Sequence, residues 1–315
     1  MRRGKQYQGK HSVLLPHELF ATLYAGSQEL FDRIFCGELG NLEKYWEGAA
    51  RAGGSWFDLH PVVESQPNAA LRIPIGIHGD DAGAFHNRKF LVLTWGSVAV
   101  ELPTMDSRLL FAILDLDECV HDDADTTMQT VYKIFTWSLN ALATGLHPYN
   151  DWNNVPFSDD YRHDMFEKRG LSLTTAGYVG AWSEFRGDWK FLTEALYLVE
   201  HYGCSHQMCH LCRASASISR LSMENYSPQS RHRRTLTEPL PWWRRYTSAV
   251  LVSPLLFLIG FNIWKVVFDI MHCLDLGLLQ PAVASSMWEL VEDDSVFRAF
   301  GQDCVFPKLG KHKTN

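Results

Sequence analysis

The chain lacks the features that would mark it for a membrane, for export or for a disulfide scaffold. Its most apolar stretch, Ala249–Trp264, is broken by Pro254, Gly260 and Asn262. It is shorter than the about 20 predominantly apolar residues a bilayer span needs. A buried strand or a pair of helices is expected there instead. The N-terminal MRRGKQYQGKHSVLLPHELF is basic but has no long apolar segment, so no secretory signal is read. The 7 cysteines are an odd number, at 36, 119, 204, 209, 212, 273 and 304. That argues against a disulfide framework and for a metal site in a reducing compartment. Positive charge is also short: 29 Lys and Arg face 36 Asp and Glu, a net of −7. A nucleic-acid binder relying on overall charge is therefore disfavoured, and only a local basic stripe could do that work. There is no internal repeat, no low-complexity tract and no N-terminal DNA-binding module of obvious type.

Core-forming residues are plentiful. Apolar residues make up 46% and charged residues 21%, with 11 Trp and 18 Phe, so a packed interior is expected rather than disorder. A length of 315 residues suits one large domain or two small ones.

Residues 1–65 read as a helical region of unassigned role. Pro16-His17-Glu18 opens a helix with Leu19, Leu23, Leu30 and Phe31 as its apolar face. A second helix is expected over Leu42–Ala52, with Asn41 as its N-cap. From Leu71 the period changes. Leu71, Ile73, Ile75 and Ile77 alternate as in a strand. Phe90–Val100 and Arg108–Val120 are further strand candidates. Asp125–Ala143 reads as a helix, because Met128, Val131, Tyr132, Phe135, Leu139 and Leu142 recur at three- and four-residue spacings, with Gly145 and Pro148 as the stop. Asn150–Gly170 is expected to be a loop, Leu171–Phe185 a fourth strand, and Asp188–Tyr202 a helix with Leu192, Ala195, Leu196 and Val199 on one face. Short connections suit antiparallel pairing of the first three strands, and a helical crossover suits parallel entry of the fourth. The predicted fold class is therefore α/β, with the element order of an RNase H-like core over residues 66–202. Residues 203–315 would hold a Cys/His-bearing insertion and an apolar helical segment.

In-line displacement at a phosphodiester uses two divalent metals, and hard cations need carboxylate oxygens converging from different strands. Asp80 lies just past the first alternating run, with Gly79 and Gly83 beside it. The other reading makes Asp80-Asp81-Ala82-Gly83 a polar turn. Asp188 follows the fourth strand and opens a helix, where it could equally be an N-cap. Asp115, Asp117, Asp122 and Asp123 read as a solvated acidic run. Cys209-His210-Leu211-Cys212 has the two-residue gap of a zinc knuckle, with His201, Cys204 and His206 nearby. A second ligand pair would come from His272 with Asp269 or Cys273, while buried free thiols are the alternative. Arg231, Arg233, Arg234, Arg244 and Arg245, with Trp242 and Trp243, form a basic stripe that could hold phosphates and stack bases, or be a solvated loop beside core tryptophans.

In this order the residues resemble the DDE transposases of the CACTA (En/Spm) type and their Plavaka and Kyakuja-Dileera-Zisupton relatives. The resemblance rests on Ile77-His78-Gly79-Asp80, Gly187-Asp188-Trp189, Cys209-x-x-Cys212 and the run Val267–Gly277 containing Asp269-Ile270-Met271-His272. It implies an RNase H-like fold in which an Asp-Asp-Glu triad holds two Mg²⁺ ions to cut and join DNA at transposon ends. Carried over, Asp80 would be the first catalytic Asp and Asp188 the second. Cys209, Cys212, His272 and Asp269 would hold a structural Zn²⁺ in the insertion. Arg233, Arg234, Arg244 and Arg245 would contact DNA. The resemblance also implies a nuclear protein with no membrane partner, and a homo-oligomer as a further partner. It departs from the family at the final Glu. Glu289 and Glu292 lie too close to His272 for that role, so an incomplete copy without the third acid is expected. The alternative from another class is a non-catalytic, zinc-stabilised domain that binds DNA or protein.

Overall fold

The computed structural model describes residues 11–83, 88–120, 122, 124–198, 209–222, 224–225, 227–237 and 251–268. The elements below belong to one compact unit that runs to Val267, apart from the last residue of the final strand.

Five helices precede the sheet: α1 Pro16–Gly26, α2 Gln28–Phe31, α3 Asn41–Ala52, α4 Ser55–Asp58 and α5 Pro61–Ser65. Strands β1 Arg72–Gly83 and β2 Lys89–Ser97 follow, then α6 Thr104–Ser107 and β3 Leu109–Asp115. The long α7 Thr126–Thr144 leads through α8 His163–Lys168 to β4 Val179–Gly187. Helix α9 Trp189–Leu196 comes next, and β5 Val266–Phe268 is the last strand among the described residues.

The strands form a mixed five-stranded sheet in the order β3-β2-β1-β4-β5. β1 pairs antiparallel with β2, and β2 with β3, whereas β1 and β4 run parallel. The crossover from β3 to β4 is α7, which packs on β4. The sheet has two unlike faces. On the covered face, Ile73, Ile75 and Ile77 of β1 and Leu91, Leu93 and Trp95 of β2 are all buried. Phe111 of β3 stacks on Phe135 of α7 at 4.1 Å between ring centroids. The residues between them in β1, Gly76, His78 and Asp80, leave on the other face by strand alternation. Beside them Ile113 of β3 stays 45% exposed.

Several expectations needed correction. α1 does not present Leu19, Leu23 and Leu30 inward; its interior residues are Pro16, His17 and Phe20. The helix stops at Gly26, and the Ser27 hydroxyl accepts from Leu30 N to start α2, so no continuous apolar stripe exists. Phe31 does enter the core, against Phe20 at 4.9 Å. Asn41 is the first residue of α3 rather than its cap; Gly40, left-handed at φ 85°, holds the cap position. The polar stretch Asn150–Gly170 contains α8. β4 starts later than expected because Gly177, at φ 81°, turns the chain first, and Leu171–Thr174 instead runs back beside Leu146 through the bridge Leu146↔Ser172. In the apolar stretch, the described residues from 251 on hold two short 3-10 turns, Pro254–Phe257 and Ile263–Lys265, joined by irregular chain, with Leu255, Leu258 and Ile263 buried, not a strand or helix pair. No helix among the described residues is long and apolar enough to cross a membrane.

Candidate functional site

Asp80 lies within β1, not past it, because β1 runs on to Gly83 by pairing with β2 through Asp80↔Val92 and Gly83↔Lys89. The polar-turn reading of Asp80–Gly83 is thereby removed. On the other side, β1 and β4 stay in register to Gly79↔Gly187. Asp80 and Asp188 are each the next residue, on neighbouring strands about 4.8 Å apart. The glycine pair faces α9. A Cβ on Gly79 would meet the Phe191 ring at 2.0 Å, and one on Gly187 would meet it at 2.4 Å. Asp188 is still extended (φ −68°, ψ 167°). By strand alternation Asp80 lies on the face opposite Gly79, and Asp188 is the residue at which the chain passes from β4 into α9.

Asp188 also caps α9, its Oδ1 accepting from Phe191 N at 2.6 Å. The helix N-terminus favours a negative charge at that point. The two readings of this residue are thus compatible, since one carboxylate oxygen caps while Oδ2 is left for another partner. Asp81 turns the other way and pairs with Lys190 of α9. Lys190 also lies 3.6 Å from Glu194. Burial raises the Glu194 carboxyl above the ordinary range; Lys190 opposes this, and Asp81 and Asp188 reinforce it. A second acidic group therefore gathers around α9, which the sequence reading had not singled out. Its only signal was the spacing of Lys190 and Glu194, one helical turn apart.

On the open face, a cavity of about 200 Å³ lies between β1, β2 and the segment after β2, lined among others by His78, Thr94, Arg108, Glu184 and Arg186. Arg186 grips Glu184 through Nε at 2.5 Å and Nη2 at 3.0 Å. Burial pushes the Glu184 carboxyl up, against the pull of Arg186. The acidic run is not simply solvated: Asp115 Oδ1 accepts from Asp117 N while its Oδ2 pairs with Arg88 at 2.5 Å, and Asp122 takes both the amide and the hydroxyl of Thr126 at the start of α7.

Cys209 and Cys212 are free thiols, Cys212 buried and Cys209 partly so. Cys209 Sγ accepts from Leu211 N at 3.3 Å. Contact with the Cys212 thiol, aided by the Leu211 and Cys212 amides, pulls Cys209 down to about 6, and the same contact pushes Cys212 up. Backbone N–H donors favour the thiolate, the form that ligates metal. Between the cysteines, the His210 ring is buried against Trp189 at 5.7 Å, next to Asp188. The knuckle thus sits beside the N-terminus of α9. Arg233 and Arg234 lie in a 3-10 turn, Arg233–Thr237, and both are exposed. Asp269, His272, Arg244 and Arg245 lie outside the described residues, as do Glu289 and Glu292.

Among the described residues, the one group of three or more metal-type side chains with converging donor atoms is elsewhere: His17, Glu18 and His147. The sequence reading had treated Pro16-His17-Glu18 only as a helix start. The chain matches no family model, no curated protein and no solved structure, so the residues and their geometry alone carry a functional assignment.

Proposed function

We propose that the protein is an RNase H-like DDE transposase core of the CACTA type that acts on DNA phosphodiesters. The observation that carries this reading is the pair Asp80 and Asp188, one step beyond Gly79↔Gly187 on parallel neighbours in a sheet ordered β3-β2-β1-β4-β5. That strand order, with its single antiparallel meander and helical crossover, agrees with an RNase H-like core.

The residues fit divalent-metal binding in part. Asp80 and Asp188, each one residue beyond the paired Gly79↔Gly187, offer the hard oxygen donors that a divalent ion takes. Asp80 and Asp188 would hold Mg²⁺, which when bound supplies Lewis-acid stabilisation of charge at a phosphodiester. The chain's own contributions are distinct. The capping bond to Phe191 N fixes the Asp188 rotamer. Phe191 over the two glycines fixes the spacing of the strands beneath both acids. Arg233 and Arg234 are exposed and could neutralise phosphates. The Cys209–Cys212 knuckle fits half of a tetrahedral Zn²⁺ site, which His272 and Asp269 would complete.

A non-catalytic, zinc-stabilised domain that binds DNA or protein is the second reading. It is favoured by one observation: among the described residues, no third acid joins Asp80 and Asp188 in a group of converging donors. Nicking of supercoiled DNA separates the two readings. Mg²⁺- or Mn²⁺-dependent nicking by the chain, abolished in both Asp80→Asn and Asp188→Asn, supports the nuclease. Equal nicking by all three proteins, or none by any, leaves the binding domain.

A further inference from the structure

We propose a third metal site, unrelated to the carboxylate pair and to the cysteine knuckle: a Zn²⁺ site made by His17 Nε2, Glu18 Oε1 and His147 Nδ1. Glu18 Oε1 lies 3.6 Å from His17 Nε2 and 3.1 Å from His147 Nδ1. All three donor atoms fall within 4.8 Å of one another. Ligands about 2.0–2.1 Å from a tetrahedral Zn²⁺ are about 3.3 Å apart along each edge. The two distances to Oε1 bracket that edge, while the longer one exceeds the reach of a hydrogen bond.

The residues come from separate parts of the chain and are rigidly held. His17 and Glu18 lie in the first turn of α1. His147 follows α7, its N–H bonded to Leu171 O at 2.9 Å and its carbonyl to Gly170 N at 2.9 Å. The His17 ring is fully buried, edge-on to Trp137 at 5.0 Å. Its Nδ1 is 2.7 Å from the buried Ser138 hydroxyl. That contact fixes the ring plane as an outer-sphere partner does for a ligating histidine. Its other nitrogen, Nε2, is buried and makes no hydrogen bond. A fully buried polar atom without a partner is costly, and a cation between Nε2 and Oε1 removes that cost.

The Glu18 carboxylate is oriented as a ligand would be. Lys168 Nζ takes the other oxygen, Oε2, at 2.6 Å, which orients the carboxylate and leaves Oε1 facing the histidines. Two imidazoles and one carboxylate select Zn²⁺ over Mg²⁺ or Ca²⁺, and leave a fourth position for water. The bound ion would clasp α1 to the end of α7.

The test is Co²⁺ and Zn²⁺ binding to the Cys209→Ser/Cys212→Ser protein, which removes the thiol site. The expected result is one equivalent of Zn²⁺ retained after dialysis. Co²⁺ should give the visible spectrum of a tetrahedral nitrogen and oxygen site without sulfur charge transfer. His147→Ala and Glu18→Gln should each weaken binding at least tenfold, and Asp80→Asn should leave it unchanged. Because His17 is buried, His147→Ala, on the loop after α7, is the primary variant, with circular dichroism to show that it folds. Failure of the Cys-free protein to retain any metal overturns the proposal, as does unchanged affinity in folded His147→Ala. Neither outcome touches the Asp80–Asp188 reading.

Discussion

The two faces of the central sheet follow the same strands yet are built on opposite terms. On the covered face β1 offers the buried Ile73, Ile75 and Ile77 and then Gly79, over which Phe191 of α9 packs. On the open face the same strand offers Gly76, His78 and Asp80, beside the half-exposed Thr94 of β2. One residue of alternation separates the apolar face from the polar one. The covered face should govern folding and the open face should govern ligand binding, and substitutions can break or sharpen that division.

The largest effect is expected at Phe191, which is 3% exposed and fills the space above Gly79 and Gly187. Phe191→Ala should cost about 3–5 kcal/mol in chemical denaturation. Gly79→Ala should cost about 1–3 kcal/mol, since the added Cβ lands on that ring and neither can move far. A cost near zero at either position would mean that α9 does not cover the glycine pair.

A pH test addresses the interior from another side. His60 is 1% exposed and uses both ring nitrogens: Nδ1 accepts from Val62 N at 3.1 Å, and Nε2–H donates to Trp182 O at 3.0 Å. Only the neutral ring can do both. Burial lowers its pKa below the ordinary 6.5; the Trp182 carbonyl opposes this and Arg72 adds to it. Because the folded value is depressed, this contribution is complete above about pH 6.5 and drains as pH falls through the folded value. Stability measured between pH 8 and pH 5 should therefore decline, and His60→Asn should flatten the decline at a fixed cost of about 1–3 kcal/mol.

Asp188 sits where the two faces meet, so its two substitutions should separate. Asp188→Ala should lose about 1 kcal/mol as the α9 cap is removed. Asp188→Asn keeps a capping oxygen and should stay within about 0.5 kcal/mol of the parent while losing divalent-metal binding. Equal stability of the two would remove the cap from the description.

How much of this was legible in the chain follows from the range of the interactions. α7 could be read almost to the residue, because Met128, Val131, Tyr132, Phe135, Leu139 and Leu142 are all buried at helical spacing. The first half of β1 was equally plain in the alternation of its isoleucines. Its second half was not, because the inward position after Ile77 is a glycine whose place in the core is taken by Phe191, far along the chain. Asp80 therefore looked like a turn residue at a strand end. The inward face of α1 was misread for a related reason: the break at Gly26 resets the helical phase, and the inward position holds a histidine. Local periodicity gives no hint that His17 and Glu18 meet His147, which lies on the far side of the sheet strands in sequence. That Asp81 points away from Asp80 is legible from strand alternation, but its approach to Glu194 is not, since a strand residue and a helix residue are brought together only by the β1–β4 register.

The central claim is that Asp80 and Asp188 hold one divalent-metal site on the open face. Mn²⁺ binding followed by electron paramagnetic resonance tests it most directly, with Glu18→Gln as the common background so that the histidine site does not contribute. Asp80→Asn should keep the fold by circular dichroism and should lose the bound Mn²⁺ signal. Asp188→Asn should lose it as well, while Asp81→Asn, which faces α9, should keep it. A bound signal that survives Asp80→Asn, or that disappears only in Asp81→Asn, would contradict the claim.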